Sequence, residues 1–171
     1  LCHAVAMASL QVLTDPIQVG DNFSVEVQID NDVVGEELLA FGFNVGAIDP
    51  LLNFDGFNVN SLFSDASDPL NSQNIAGLAF PGITDRSVLL ATLEFSALSA
   101  GTASIEVQGL FDGSFDGLYY TINGLDISSG FNISAQTQVT ILDRQVNIPV
   151  PGTLALSAVA FFTLLQRRLH L

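Results

Sequence analysis

Along residues 11–148 the apolar positions recur with a period of two. Phe23, Val25, Val27 and Ile29 alternate with Ser24, Glu26, Gln28 and Asp30, the pattern of a strand with one wet face. Leu39, Phe41, Phe43 and Val45 repeat it around Ala40, Gly42 and Asn44, and Leu89, Ala91, Leu93 and Phe95 do so around Leu90, Thr92, Glu94 and Ser96. After a Ser99-Ala100-Gly101 turn, Ala103, Ile105 and Val107 alternate with Ser104, Glu106 and Gln108. Shorter strands are expected at 10–13, 54–59, 75–80, 118–122 and 135–142. Breaks are expected at Gly20-Asp21-Asn22, Asp55-Gly56, Asp112-Gly113, Asp116-Gly117 and Asn123-Gly124. No stretch before Thr153 keeps a helical period. Eight or nine short antiparallel strands at this spacing predict an all-β fold, a β-sandwich.

The pattern changes at both ends. Ile148-Pro149-Val150-Pro151-Gly152-Thr153 leads into an apolar run that ends at Leu165, followed by Gln166, Arg167 and Arg168. As a helix, residues 150–165 would rise about 24 Å against a hydrocarbon core of about 30 Å, a gap that the snorkelling arginines nearly close. Pro151 suits a first helical turn, and arginines after an apolar helix hold that end in the cytoplasm, with the body outside. A buried C-terminal core helix is the other reading. At the N-terminus, Ala6-Met7-Ala8 fits the small-x-small cleavage site of a secretory signal, against an ordinary strand starting near Ala4. This predicts a division into a leader remnant (1–8), a sandwich (9–145), a proline-containing linker (146–152) and a transmembrane helix with an arginine tail (153–171).

The tail resembles the PEP-CTERM sorting signal of Gram-negative bacteria, over about the last two dozen residues. Pro149 and Pro151 match its two prolines, residues 153–156 its small-residue helix start, and Arg167 and Arg168 its basic cluster; Val150 stands where that family has Glu. The resemblance implies export, retention in the inner membrane through residues 153–166, and processing by an exosortase for delivery to the cell surface or extracellular matrix.

A second resemblance lies in the body. Val19-Gly20-Asp21-Asn22-Phe23-Ser24-Val25-Glu26-Val27 is similar to the opening strand of cohesin-like domains. Phe41-Gly42-Phe43-Asn44-Val45 followed by Asp49-Pro50-Leu51-Leu52 resembles their second segment. Residues 89–95 with Ala100-Gly101-Thr102 resemble their later paired strands. The resemblance runs from Val19 to Val107 and implies a jelly-roll sandwich related to carbohydrate-binding modules. True cohesins bind dockerins; a fold alone does not assign a function.

Composition then removes most chemistry. The 171 residues carry 18 Asp+Glu against 4 Lys+Arg, a formal net charge of −14, which excludes nucleic acid as a partner. There is no Lys, and Cys2, His3 and His170 all lie at the ends, so no Cys–His or Ser–His dyad and no thiolate or imidazole zinc site is available to the body. Carboxylates, hydroxyls, amides and two tyrosines remain. Asp112 and Asp116, on the glycine-rich Asp112-Gly113-Ser114-Phe115-Asp116-Gly117 turn, are the candidate calcium ligands, with a solvated turn as the duller reading. Tyr119 and Tyr120 are the candidate ligand-binding pair: alternation places one inward and leaves the other to stack on a sugar or cap the sheet. The expected protein is an exported, non-enzymatic envelope or matrix component with a structural or adhesive sandwich. The alternatives are a carbohydrate-binding module for exopolysaccharide and, behind it, a small carboxylate-pair glycosidase.

Overall fold

Residues 7–30, 35–71, 73–112, 116–122 and 126–144 are described by a computed structural model. Each alternating stretch forms a strand: β1 Met7–Val12, β2 Ile17–Gln18, β3 Asn22–Asp30, β4 Glu37–Val45, β5 Leu52–Val59, β6 Ser64–Asp65, β7 Asn74–Ile83, β8 Ser87–Ala97, β9 Gly101–Gly109, β10 Gly117–Thr121, β11 Ile127–Phe131 and β12 Ile133–Leu142. All nine stretches expected from the sequence are present. The three additions, β2, β6 and β11, are too short or too polar to show a period. There is no helix among the described residues, and none therefore that is long and apolar enough to cross a membrane. The expected tail helix, with Pro149, Val150, Pro151, Arg167 and Arg168, lies outside the described residues.

The strands form two sheets. The smaller has the order β1-β3-β8-β5, and the larger runs β11-β10-β4-β9-β12-β2 with β7 and β6 attached through β4. Leu38, Ala40, Phe41 and Gly42 pair with β10 and with β7 at once, so these two flank β4 on opposite edges. Asn44 pairs with Asn74 of β7 and Gln108 of β9, which puts β9 on the same edge of β4 as β10, one behind the other. The core lies between the sheets. Val25, Val27 and Ile29 of β3, Leu93 and Phe95 of β8, Phe41 and Phe43 of β4, and Val107 of β9 are all buried. Burying each such side chain is worth about 1.5–3 kcal/mol.

Four details differ from the sequence pattern. Leu38 is buried while Leu39 is only half-buried, because the register slips between Leu38 and Ala40; Phe41, Phe43 and Val45, beyond the slip, keep the inward places that alternation gives them. Likewise Leu90 is fully buried and Leu89 half-buried, because Val27–Gln28 of β3 face Ala91 and Leu89, which makes Leu90 the extra residue of a bulge. Asp55-Gly56 is a bulge within β5 and not a turn. The sandwich is also not wholly antiparallel: β2 runs parallel to β12, held by the buried Ile17 opposite Ile141 and by the Val19 N–H donating to the Leu142 carbonyl. Met7 and Ala8, the end of the segment read as a leader remnant, already pair with Asp30 and Ile29.

Candidate functional site

An apolar groove of about 350 Å³ lies on the outer face of the larger sheet. One cross-strand row runs Tyr119–Ala40–Leu78–Ser64 through β10, β4, β7 and β6. Tyr119, Ala40 and Leu78 of this row line the groove with Leu39, Ala66, Ala76 and, from β11, Ile127. Leu78 is 47% exposed and Ile127 55%. The neighbouring row, Leu118–Phe41–Gly77, turns inward. A Cβ on Gly77 would lie 2.4 Å from the Phe41 ring, so the glycine lets that ring close the floor from beneath, where it meets Phe63 edge-on at 4.8 Å. Small residues in the floor and large ones at the margin are what give the groove its depth.

Carboxylates are its neighbours in the chain and not part of its lining. Asp65 pairs opposite Gly77 on the β6 side, and Asp126 directly precedes Ile127 on the β11 side. Glu36 is tied down nearby: its Oε2 accepts from the Ser129 hydroxyl and from Ser128 Oγ at 3.0 Å.

The two tyrosines divide as alternation requires. Tyr119 is half-buried, borders the groove and meets Phe111 edge-on at 5.0 Å. Tyr120 is 0% exposed, packs edge-on against Phe131, and its hydroxyl has no hydrogen-bond partner among the described residues. Burial, and secondarily the charge of Glu36, push this phenol far above its ordinary range. Tyr120 is therefore a core residue, and of the pair only Tyr119 is open to a ligand.

At the calcium candidate, Asp116 Oδ2 accepts from Asn44 Nδ2 at 3.0 Å and Oδ1 from Asn74 Nδ2 at 3.3 Å. Asn74 also donates to Asn44 Oδ1 at 3.2 Å, which closes a triangle across β4, β7 and the start of β10. A cation on Asp116 would compete with both amides. Asp112 lies just beyond β9, where its N–H donates to the Leu110 carbonyl. Among the described residues no three His, Cys, Asp or Glu side chains converge as a metal site.

The groove residues Leu39, Leu78 and Ile127 were not identified from sequence. A usable signal was present at one of them, since the Leu38-Leu39 doublet breaks a strict alternation and so marks a bulge. Ile127 gave none, because the strand that carries it, Ile-Ser-Ser-Gly-Phe, has no legible period.

No family model matches the chain, and no curated protein matches it. Solved structures do. The cohesin module of a family 33 glycoside hydrolase from Clostridium perfringens aligns with a TM-score of 0.62 at 10% identity, covering 83% of this chain and 100% of that one. A cohesin–dockerin complex from Clostridium thermocellum gives 0.53 at 13% identity, over 81% of this chain and 100% of its match. A non-cellulosomal cohesin from the hyperthermophilic archaeon Archaeoglobus fulgidus gives 0.51 at 15% identity, over 81% and 92%. At these identities the likeness concerns the fold, and the fold of the body is a cohesin-like β-sandwich.

Proposed function

We propose that this chain is a non-catalytic adhesive module of the bacterial envelope or extracellular matrix, one that docks a protein segment in the groove of its larger sheet. The observation that carries this reading is an exposed apolar groove on a body whose chain bears a net charge of −14. Contiguous exposed apolar surface on a soluble domain marks an interaction site. The acidic charge of the chain favours a partner whose apolar side chains are bordered by Lys or Arg. The described residues that line the groove are apolar apart from the Tyr119 phenol, so what it offers is chiefly contact surface. The Clostridium thermocellum neighbour, solved with a dockerin, gives a precedent for this fold holding a protein partner.

Titration of the full chain with two labelled amphipathic peptides tests the docking. They share one apolar face but carry either Lys or Glu on the other. The basic peptide is expected to bind, and Leu78→Asp with Ile127→Asp to abolish binding. Equal binding of both peptides, or binding indifferent to these changes, rejects the reading.

Placement belongs to the same proposal. The PEP-CTERM-like tail supports export, retention in the inner membrane by residues 153–166 with the body on the periplasmic side, and release by exosortase. Intact mass and fractionation in a host with an exosortase test this. Processing gives a species ending near Pro149–Gly152 outside the inner membrane; full-length protein kept in that membrane means that Val150 defeats recognition.

A further inference from the structure

A second concavity, sharing no residue with the groove, lies between the β4–β5 connection, β5 and the β6–β7 loop. It is an open cleft of about 470 Å³, within the size range of small-molecule sites, about 300–1,000 Å³. Its lining has the opposite character. Asp49, Asn53, Asn71 and Gln73 bring hydrogen-bonding groups, and Phe54 and Leu70 bring apolar surface. We propose that this cleft binds a neutral polysaccharide chain.

The match is one of chemistry. A sugar hydroxyl donates one hydrogen bond and accepts others, and a primary amide offers both functions side by side. Three amides line the cleft. Two of its polar side chains are set in place by their own backbone: Asp49 Oδ1 accepts from the Leu51 N–H at 3.0 Å, and Asn71 Oδ1 from the Gln73 N–H at 3.1 Å. That leaves Asp49 Oδ2 as an acceptor and Asn71 Nδ2 as a donor, each on an already ordered side chain, so little rotamer entropy is lost on binding. Asn53 is likewise steadied by donating from Nδ2 to Asp55 Oδ1 at 2.6 Å, which keeps its own Oδ1 as an acceptor.

The apolar part suits the C–H face of a pyranose. Phe54 is half-buried and fixed against Phe95 at 5.4 Å, so it gives a rigid floor. Leu70 is 95% exposed, a large aliphatic side chain held in solvent beside that floor with no core role. Charge selects among glycans. Asp49 lines the cleft and Asp55 adjoins it, on a chain of net charge −14, so uronate-rich and sulfated chains are repelled while neutral ones are not. β5 pairs only with β8 among the described residues, which leaves its outer edge open alongside the cleft for a chain longer than the cleft itself.

Affinity electrophoresis and calorimetry of the full chain with neutral glycans (cellohexaose, maltohexaose, mannan, dextran) and anionic ones (alginate, polygalacturonate) test the proposal. At least one neutral glycan is expected to bind and the anionic ones not to. Asn71→Ala with Gln73→Ala should weaken that binding about tenfold or more, as loss of two hydrogen-bonding side chains implies. Leu70→Ala, at a site too exposed to affect folding, should weaken it as well. Leu78→Asp in the groove should leave it unchanged, so failure here and failure of the protein-docking reading are told apart. Retention by no neutral glycan, preference for the anionic ones, or binding unaffected by the cleft variants overturns the proposal.

Discussion

Tyr120 is a core residue in tension with its surroundings, since its ring is buried and its hydroxyl is unpartnered among the described residues. An unsatisfied buried hydroxyl costs about 1–3 kcal/mol, so Tyr120→Phe is expected to stabilise the fold by about 1 kcal/mol in urea unfolding at pH 7. The pH dependence follows in sign. The folded phenol titrates above its unfolded value of about 10, so the folded state holds the proton more tightly and stability falls once pH rises past that value. Tyr120→Phe should flatten that alkaline decline, and an unchanged decline would show that another group causes it. Gly109 illustrates a different constraint, of space. The chain leaves β9 and re-enters as β10 on the same edge of β4, and at the hand-over a Cβ on Gly109 would sit 2.2 Å from the Gly42 carbonyl oxygen. Gly109→Ala is expected to cost about 1–3 kcal/mol. Gly46→Ala, whose Cβ would meet Glu106 at 3.4 Å, should cost far less in the same assay.

At the scale of elements, the strands were legible because burial on one face imposes a period of two, which β3 follows throughout and β9 follows from Thr102 on. Legibility ended where a bulge interrupts the period. Leu89-Leu90 and Leu38-Leu39 are adjacent apolar residues that alternation assigns to opposite faces, and in each pair the wrong member was assigned to the core. Alanine substitution separates them by stability: Leu90→Ala is expected to cost about 2–5 kcal/mol, and Leu89→Ala well under half of that. Equal costs would mean that the bulge is absent in solution. The same irregularity makes the groove, since the slip at Leu39 leaves Leu39 and Ala40 both against it, opposite Leu78. The candidate site was thus hidden for the same reason that the strand was misread. Tyr119 alone was identified, because it obeys the alternation.

The whole molecule is dominated by like charge, with −14 on a chain that has no lysine. Arg144 stands 3.9 Å from Asp21, an exposed and loose pair that offsets little. Self-repulsion of this kind is screened by salt over about 8 Å at 0.15 M, so Tm should rise between 10 mM and 500 mM NaCl. A flat or falling Tm would show that the acidic surface is not under repulsive strain. Fold class was legible at this scale from period and turn chemistry alone. The parallel pairing of β2 was not, because two residues carry no periodic signal. Register also fixes how the body would answer tension. The described chain leaves β12 just past Leu142, while Ile133, at the far end of that strand, pairs with Gly109 beside β4. A pull on the chain after Leu142, opposed by a partner seated on β4, runs the length of β12 and loads its nine pairs with β9 side by side in shear, not one at a time as in unzipping. A tether attached at that end would fail late and abruptly.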